Sequence, residues 1–257
     1  MKISTGQVAV VTGAASGIGR GLATRFAELG LRLVLADLDE DRLADAAADC
    51  ARDGVDVVAQ RTNVADAGEV ERLRDVALAR FGQVDILCNN AGIVSPFRPM
   101  WDNPLVDWQR VIDVNLWGVI HGIRSFVPAM VAAGRGHVVN TASMAGLIVV
   151  PSNGIYNATK HAVVSLSETL EADLKAAGHD VGVTVLCPGL VDTAMNGDPS
   201  MAVPVPSGAL FLKPADVARQ LVSAIERNQL YLATNPGSDM LIRARQERVS
   251  QEAGQPL

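Results

Sequence analysis

The segment Tyr156-Asn157-Ala158-Thr159-Lys160 follows shortly after Ser143-Met144-Ala145-Gly146, so a hydroxyl, a phenol and an ammonium group lie close together in the chain. Tyr156 and Lys160 are i and i+4. On a helix, with a rise of about 1.5 Å per residue, they stand one turn apart on the same face. A free phenol has a pKa of about 10 and is ionised in roughly one molecule in a thousand at pH 7, whereas a fixed neighbouring cation favours the phenolate. Tyr156 is therefore a candidate proton donor and acceptor, with Lys160 lowering its pKa. An aromatic at a helix entry followed by a solvated lysine gives the same spacing, so the elements around the pair must decide between the two.

Those elements begin with an apolar run of strand length, Gln7 to Thr12. The glycine loop Gly13-Ala14-Ala15-Ser16-Gly17-Ile18-Gly19 follows, and helical periodicity runs from Arg20 to Leu29. In a strand-loop-helix unit one glycine permits positive φ, a second lets backbone approach a pyrophosphate, and a third lets the helix pack on the sheet. The helix N-terminus then faces the phosphates. The spacing is G-x-x-x-G-x-G, not the G-x-G-x-x-G of the usual dinucleotide fingerprint. A second strand, Leu31 to Ala36, ends at Asp37, about 20 residues past the loop, where a carboxylate accepts hydrogen bonds from the adenosine ribose. A 2′-phosphate would meet a like charge there, and Leu38 supplies no cation, which favours NAD over NADP. Arg42, one turn on, could swing in, and Asp37 could instead cap the helix beginning near Glu40.

Downstream the β-α alternation continues. A helix over 39–53 precedes a strand from Val55 to Gln60, and then Asn63-Val64, where Asn63 could bond the adenine edge or simply form a turn. A helix from Ala65 to Phe81, with Asp66 as N-cap, leads to a strand from Gln83 to Cys88. Asn89-Asn90-Ala91-Gly92 then leaves room for a ligand, and the two amides can tie strand ends together. One long helix is expected within Trp101 to Ala133, from near Leu105. Val111, Val114, Leu116, Val119, Ile120 and Ile123 give it more apolar surface than one sheet face needs. Asn115, inside it, is either part of a proton path or a satisfier of the helix. Strand five, Gly136 to Ser143, delivers Ser143 at its carboxyl end, where its hydroxyl can donate to a substrate oxygen. After Pro151 and Ser152 a second long helix carries Tyr156 to Ala177. Strand six runs from Val181 to Cys187 and breaks at Pro188-Gly189, where Leu190 to Thr193, including Val191 and Thr193, could line a nicotinamide. Residues 190–213 read as a lid loop. A helix from Lys213 to Arg227, a seventh strand from Leu230 to Thr234 and a polar tail over 236–257 with one possible helix complete the chain. The pattern predicts an α/β fold: a single domain with a doubly wound parallel sheet of about seven strands, helices on both faces and ligands at the carboxyl ends of the strands.

Composition narrows the function classes. A chain of 257 residues, 49% of them hydrophobic, can bury a large core, and its formal charge of -6 argues against a nucleic-acid-binding surface. Cys50, Cys88 and Cys187 are widely spaced, with no C-x-x-C and no metal-ligand spacing to histidine, so they read as reduced core thiols and no metal site is expected. Met1 to Gln7 lacks a signal-peptide core, and no apolar run reaches the roughly 18 to 20 residues of a membrane span, which predicts a cytoplasmic protein. No G-x-S-x-G elbow accompanies His121, His137, His161 or His179, which excludes a serine hydrolase of that type.

Thr12-Gly13-x-x-x-Gly17-Ile18-Gly19, Asn89-Asn90-Ala91-Gly92, Asn115, Ser143, Tyr156-x-x-x-Lys160 and Pro188-Gly189, in this order, resemble the short-chain dehydrogenase/reductase family. The resemblance spans Gln7 to about Thr234. It implies a Rossmann-type sheet and hydride transfer between nicotinamide C4 and a carbinol or carbonyl carbon of a secondary alcohol or ketone. In that likeness Tyr156 is the acid/base, Lys160 lowers its pKa and holds the nicotinamide ribose, Ser143 orients the substrate oxygen, and Asn115 positions a water linking Lys160 to solvent. Gly13, Ser16, Ile18 and Gly19 border the pyrophosphate, Asp37 the adenosine ribose, Asn63 and Val64 the adenine, and Asn90 the nicotinamide side. It also implies a homo-oligomer, tetramer or dimer, joined through the long helices. Val94, Phe97, Met144, Val149, Val150, Leu190, Met195 and Val203 near the expected pocket favour an apolar small-molecule substrate. The rival readings are an NADPH-dependent carbonyl reductase, a non-redox lyase on the same scaffold, and a dinucleotide-binding regulator without turnover.

Overall fold

The first strand shows how the core is divided. In the computed structural model, which describes residues 1–52, 54–193 and 210–254, β1 (Val8–Thr12) is buried along its whole length. Ala9 and Val11 pack with Leu22 and Phe26 on one side, and Val10 packs with Phe126 and Met130 on the other. Successive side chains of a strand face opposite ways, so a strand covered on both faces reads as an unbroken apolar run.

β2 (Arg32–Asp37), β3 (Val57–Arg61), β4 (Ile86–Asn89), β5 (Gly136–Thr141), β6 (Val181–Cys187) and β7 (Tyr231–Ala233) join β1. Among the described residues they form one seven-stranded sheet in the order β3-β2-β1-β4-β5-β6-β7, with every neighbouring pair parallel. Helices α1 (Gly17–Glu28), α2 (Glu40–Ala51) and α7 (Pro214–Glu226) supply one face, and α3 (Ala67–Phe81), α5 (Gly118–Ala132) and α6 (Gly154–Ala176) the other. The strand order reverses between β1 and β4, which opens a crevice at their carboxyl ends. This is the expected α/β, doubly wound, Rossmann-type architecture.

The expected single helix within Trp101 to Ala133 is broken. A short 3₁₀ turn, Met100–Asp102, precedes α4 (Leu105–Ile112), and a π turn, Asp113–Trp117, separates α4 from α5. The wider turn carries Asn115 inward, to 0% exposure. Val111 and Val119 belong to the internal core, so the apolar excess is smaller than expected; Trp101, Leu105, Val106 and Trp117 stand in solvent. Gly122 makes the close approach of α5 possible, because a Cβ there would lie 1.9 Å from Asn89 Oδ1. Asn89 in turn donates to Asn140 Oδ1, and Asn140 donates to Ser167 Oγ, a buried polar chain across β4, β5 and α6.

Two further expectations change. Asp37 does not cap α2: Asp39 does, its carboxylate accepting from the Arg42 N–H. β5 stops at Thr141, so Ser143 lies just beyond the strand and opens the 3₁₀ turn Met144–Gly146. Asp66 caps α3, as its side chain acceptance from the Glu69 N–H shows. Most of the expected lid, residues 194–209, lies outside the described residues. Its flanks run side by side, with Val191 opposite Leu212 in a parallel bridge. The polar tail contains α8 (Ser238–Glu252). Among the described residues no helix is long and apolar enough to cross a membrane.

Candidate active site

A cavity of about 910 Å³ opens at the carboxyl ends of the strands, near the upper end of the range for ligand sites, about 300–1,000 Å³. Of the residues singled out from sequence, Gly13, Ser16, Gly17, Ile18, Asp37, Asn63, Val64, Asn90, Ala91, Gly92, Ser143, Tyr156, Lys160, Pro188, Gly189, Val191 and Thr193 all line it. Gly19 and Asn115 do not. Gly19 is turned into the fold, where a Cβ would meet Gly13 O at 2.0 Å, so it serves the packing of α1 against the loop.

At one end of the cavity lies the start of α1. Ser16 is the N-cap residue but makes no side-chain cap, and no acidic residue stands in the first turn. Gly13 and Gly17 have φ of 67° and 52°, backbone that glycine adopts without strain. A Cβ on Gly13 would lie 2.8 Å from Ala91 Cα. Uncapped amides at a helix N-terminus beside glycine backbone suit an anionic pyrophosphate.

Asp37 stands at the end of β2. One carboxylate oxygen accepts from the Ala15 N–H at 3.0 Å, and the other from the Leu38 and Asp39 N–H groups at 2.7 and 3.1 Å. These bonds hold the carboxylate at the cavity wall and tie β2 to the glycine loop. Arg42, which could have swung in, pairs with Asp39 instead, and Arg61 pairs with Glu40 and Glu69. Among the described lining residues Asp37 is the one carboxylate and Lys160 the one cation.

Asn90 fastens the middle. Its N–H donates to Thr12 Oγ1, its side-chain amide donates to Thr12 O at 3.0 Å, and its Oδ1 accepts from Thr141 Oγ1. Asn63 Oδ1 accepts from the Ala65 N–H, the turn-forming alternative, while the residue also faces the cavity.

The remaining end is built by β5 and the first turns of α6. Lys160 is 3% exposed and its Nζ donates to Thr141 O at 2.9 Å. The same Nζ lies 5.4 Å from the centre of the Tyr156 ring. Burial lowers the Lys160 pKa from 10.5 to about 8, with the neighbouring Cys187 acting in the opposite direction. Burial also raises the Tyr156 pKa above 10, and a hydrogen bond with the Ser143 side chain works against that rise. The direction is opposite to the lowering expected from the neighbouring Lys160. The ammonium donates to the Thr141 carbonyl, and burial of the phenol is the first cause of its shift.

Asn115 resolves toward the structural alternative as far as its side chain goes. Its Oδ1 accepts from the Ile93 N–H at 2.8 Å, and its Nδ2 donates to Ile93 O and Thr159 Oγ1. It nevertheless shares a small space with the lysine: a Cβ on Gly92 would be 3.3 Å from Asn115 Oδ1 and 3.4 Å from Lys160 Nζ.

Of the expected apolar pocket residues, Val94, Met144, Val150 and Leu190 line the cavity. Phe97 does not, and Val149 points to solvent, 64% exposed. Met195 and Val203 fall outside the described residues. Sequence reasoning missed Ile93, Ile148, Leu210, Pro236 and Leu241 on the same wall. It also missed Asn235, which accepts from the Gly189 N–H and donates to Leu190 O; only three-dimensional proximity joins positions so far apart in the chain. Asn153 was visible in principle, since Asn is a favoured residue at the start of a helix and this one stands three residues before Tyr156.

A model of the short chain dehydrogenases matches residues 7–202. The 1-deoxy-11-beta-hydroxypentalenate dehydrogenase of Streptomyces exfoliatus is 40% identical over 246 residues, which are 94% of this chain and 86% of that protein. Among solved structures, a short-chain dehydrogenase/reductase from Burkholderia phymatum in complex with NAD aligns with a TM-score of 0.90 at 39% identity, over 100% of this chain and 98% of its own. An alcohol dehydrogenase from Thermococcus sibiricus complexed with 5-hydroxy-NADP aligns with a TM-score of 0.79 at 30% identity, over 88% and 95%.

The lysine's burial has a measurable consequence. Between about pH 8 and 10.5 the folded protein has released the Lys160 proton while the unfolded chain still holds it. The unfolded state then binds more protons and stability rises with pH. Denaturant titrations should show the wild-type protein gaining more than about 1 kcal/mol over Lys160→Met across that window and nothing below it. Parallel stability curves for the two proteins would show that Lys160 is not desolvated in solution.

Proposed function

We propose that this chain, which belongs to the short-chain dehydrogenase family, interconverts an apolar secondary alcohol and its ketone with NAD as the preferred hydride carrier. In its general class the protein is an NAD(P)-dependent oxidoreductase of alcohols and ketones. The observation that carries the finer reading is the assembly at one cavity wall of buried Lys160, Tyr156 and Ser143, with Asp37 and the open α1 N-terminus along the same crevice.

The residues present suit a nicotinamide dinucleotide. Asp37 ends β2, and Lys160 is bonded to the end of β5, three strand spacings away in the sheet, or about 14 Å. An extended dinucleotide can bridge such a distance, with its adenosine ribose at Asp37, its pyrophosphate at Gly13, Ser16, Gly17 and Ile18, and its nicotinamide end toward Pro188, Gly189, Val191 and Thr193. Bound there, the nicotinamide supplies the carbon that accepts or donates hydride. NAD is preferred because a 2′-phosphate would face Asp37 while Arg42 and Arg61 are held by other carboxylates.

Around the reacting carbon the chain's own groups handle the proton. Ser143 donates a hydrogen bond to the substrate oxygen. Tyr156 gives a proton to that oxygen in reduction and takes one in oxidation. Lys160 is the cation beside the phenol, and the space it shares with Asn115 at Gly92 is where we place a proton exit toward solvent. Burial raises the Tyr156 pKa, so the phenol holds a proton that it can donate to a carbonyl oxygen, which is compatible with carbonyl reduction as the second reading. A relative named as a hydroxypentalenate dehydrogenase supports the oxidative one.

The apolar wall of Ile93, Val94, Met144, Ile148, Leu190 and Leu241 supports an apolar substrate. The solvent-facing Leu105, Val106 and Trp117 support self-association as a dimer or tetramer. The buried thiols of Cys50, Cys88 and Cys187 suit a reducing, cytoplasmic compartment.

A panel of secondary alcohols and ketones followed by NADH absorbance tests this reading. Tyr156→Phe should lower turnover by about two to four orders of magnitude while NADH still binds; near wild-type turnover in that variant would remove Tyr156 from the chemistry. Measured with both cofactors, Asp37→Ala should narrow the ratio of kcat/KM for NAD over NADP. A wild-type preference for NADP would contradict the role given to Asp37.

A further inference from the structure

We propose that Asn153 is a substrate-recognition residue whose side-chain amide donates a hydrogen bond to a second oxygen on the substrate, remote from the carbon that reacts. The proposal rests on the alcohol/ketone reading and adds to it the class of substrate: an apolar skeleton that bears, besides its reacting hydroxyl or carbonyl, another hydrogen-bond acceptor.

Asn153 precedes α6 and is 4% exposed. Its Oδ1 accepts from Ser95 Oγ at 3.1 Å, and Ser95 itself is 1% exposed. This buried bond tethers the amide oxygen. No described residue accepts a hydrogen bond from Asn153 Nδ2. The buried polar atoms without a partner among the described residues are Arg25 Nε, Asn103 Oδ1 and His137 Nδ1. Asn153 Nδ2 is not one of them, so it is not sealed in. It opens on the cavity that Asn153 lines.

The position makes this unusual for an asparagine. At an N-cap, Asn is among the residues best able to bond the free amides of the first turn, yet this one makes no such bond. Its amide turns instead toward the cavity. Met100 covers the start of α6 beside it, since a Cβ on Gly154 would lie 2.8 Å from Met100 Cγ, which limits the approach of bulk water from that side. The neighbouring lining residues Ile93, Val94, Met144 and Val150 offer no polar side chain. A single donor in such a wall discriminates strongly, because a ligand lacking the matching acceptor leaves a desolvated N–H unpaired. Tyr156 stands three residues on, in the first turn of α6, and lines the same cavity, so the acceptor and the reacting oxygen belong to one compact substrate.

The test compares a bicyclic ketone with the diketone made by replacing one remote methylene with a carbonyl. With the full chain and NADH, the wild-type ratio of kcat/KM, diketone over monoketone, should be about tenfold to a hundredfold. Asn153→Leu should bring that ratio near one, and Asn153→Asp should bring it below one by presenting a carboxylate to the acceptor. Dissociation constants for the same pair, read from bound-NADH fluorescence, give the preference without turnover. If neither ketone is reduced, the reading as an alcohol/ketone oxidoreductase of such compounds fails, and the fluorescence ratio still decides on Asn153. A ratio near one in the wild-type protein, or one that Asn153→Leu leaves unchanged, overturns the proposal.

Discussion

The hydrogen bond from Lys160 Nζ to the Thr141 carbonyl is the constraint around which the site closes. An ammonium at 3% exposure is tolerated only with partners in place, and this one takes its acceptor from the end of β5, so α6 must lie close against the sheet. Two glycines make the approach possible. A Cβ on Gly146 would come 2.6 Å from Lys160 O, and one on Gly92 would intrude beside Nζ. Once α6 is seated there, Tyr156 and Ser143 meet at the cavity wall, and the same burial that lowers the lysine's pKa raises the phenol's. The pair is thus tuned by desolvation more than by mutual attraction.

The rest of the crevice is held by polar groups that satisfy one another inside the sheet. Thr12, Asn90 and Thr141 link the ends of β1, β4 and β5, and Asn89, Asn140 and Ser167 carry a second chain beneath them. Fully paired networks of this kind rigidify the frame that presents the ligand groups. The start of α1 is left uncapped, and its amides are available to an anion because the fold does not use them.

Much of this was legible in the sequence because the signals are local. An apolar run marked β1, strand-length apolar stretches marked β2 and β6, the glycine loop marked the start of α1, and the i, i+4 pair marked the reacting face of α6. What escaped depends on contacts between distant segments. The π turn at Asn115 has no periodicity of its own, and the commitment of Asn115 to Ile93 appears only once α5 meets the loop after β4. Gly19 has a second reason to be glycine that the loop motif does not report, since a Cβ there would collide with Gly13 O. An apolar residue type suggests pocket lining at Val149, yet that side chain stands in solvent before α6. The direction of the Tyr156 shift depends on burial, which spacing cannot report. Asn235 fastens Gly189 and Leu190 from far along the chain.

The proposed chemistry is a direct passage of hydride between a substrate carbon and a dinucleotide laid along this crevice. The most direct measurement supplies a secondary alcohol deuterated at its carbinol carbon together with NAD, and weighs the reduced cofactor by mass spectrometry. Direct transfer predicts one deuterium in each NADH formed and a slowed turnover relative to the protiated alcohol. Unlabelled NADH, with the deuterium lost to solvent, would contradict the account.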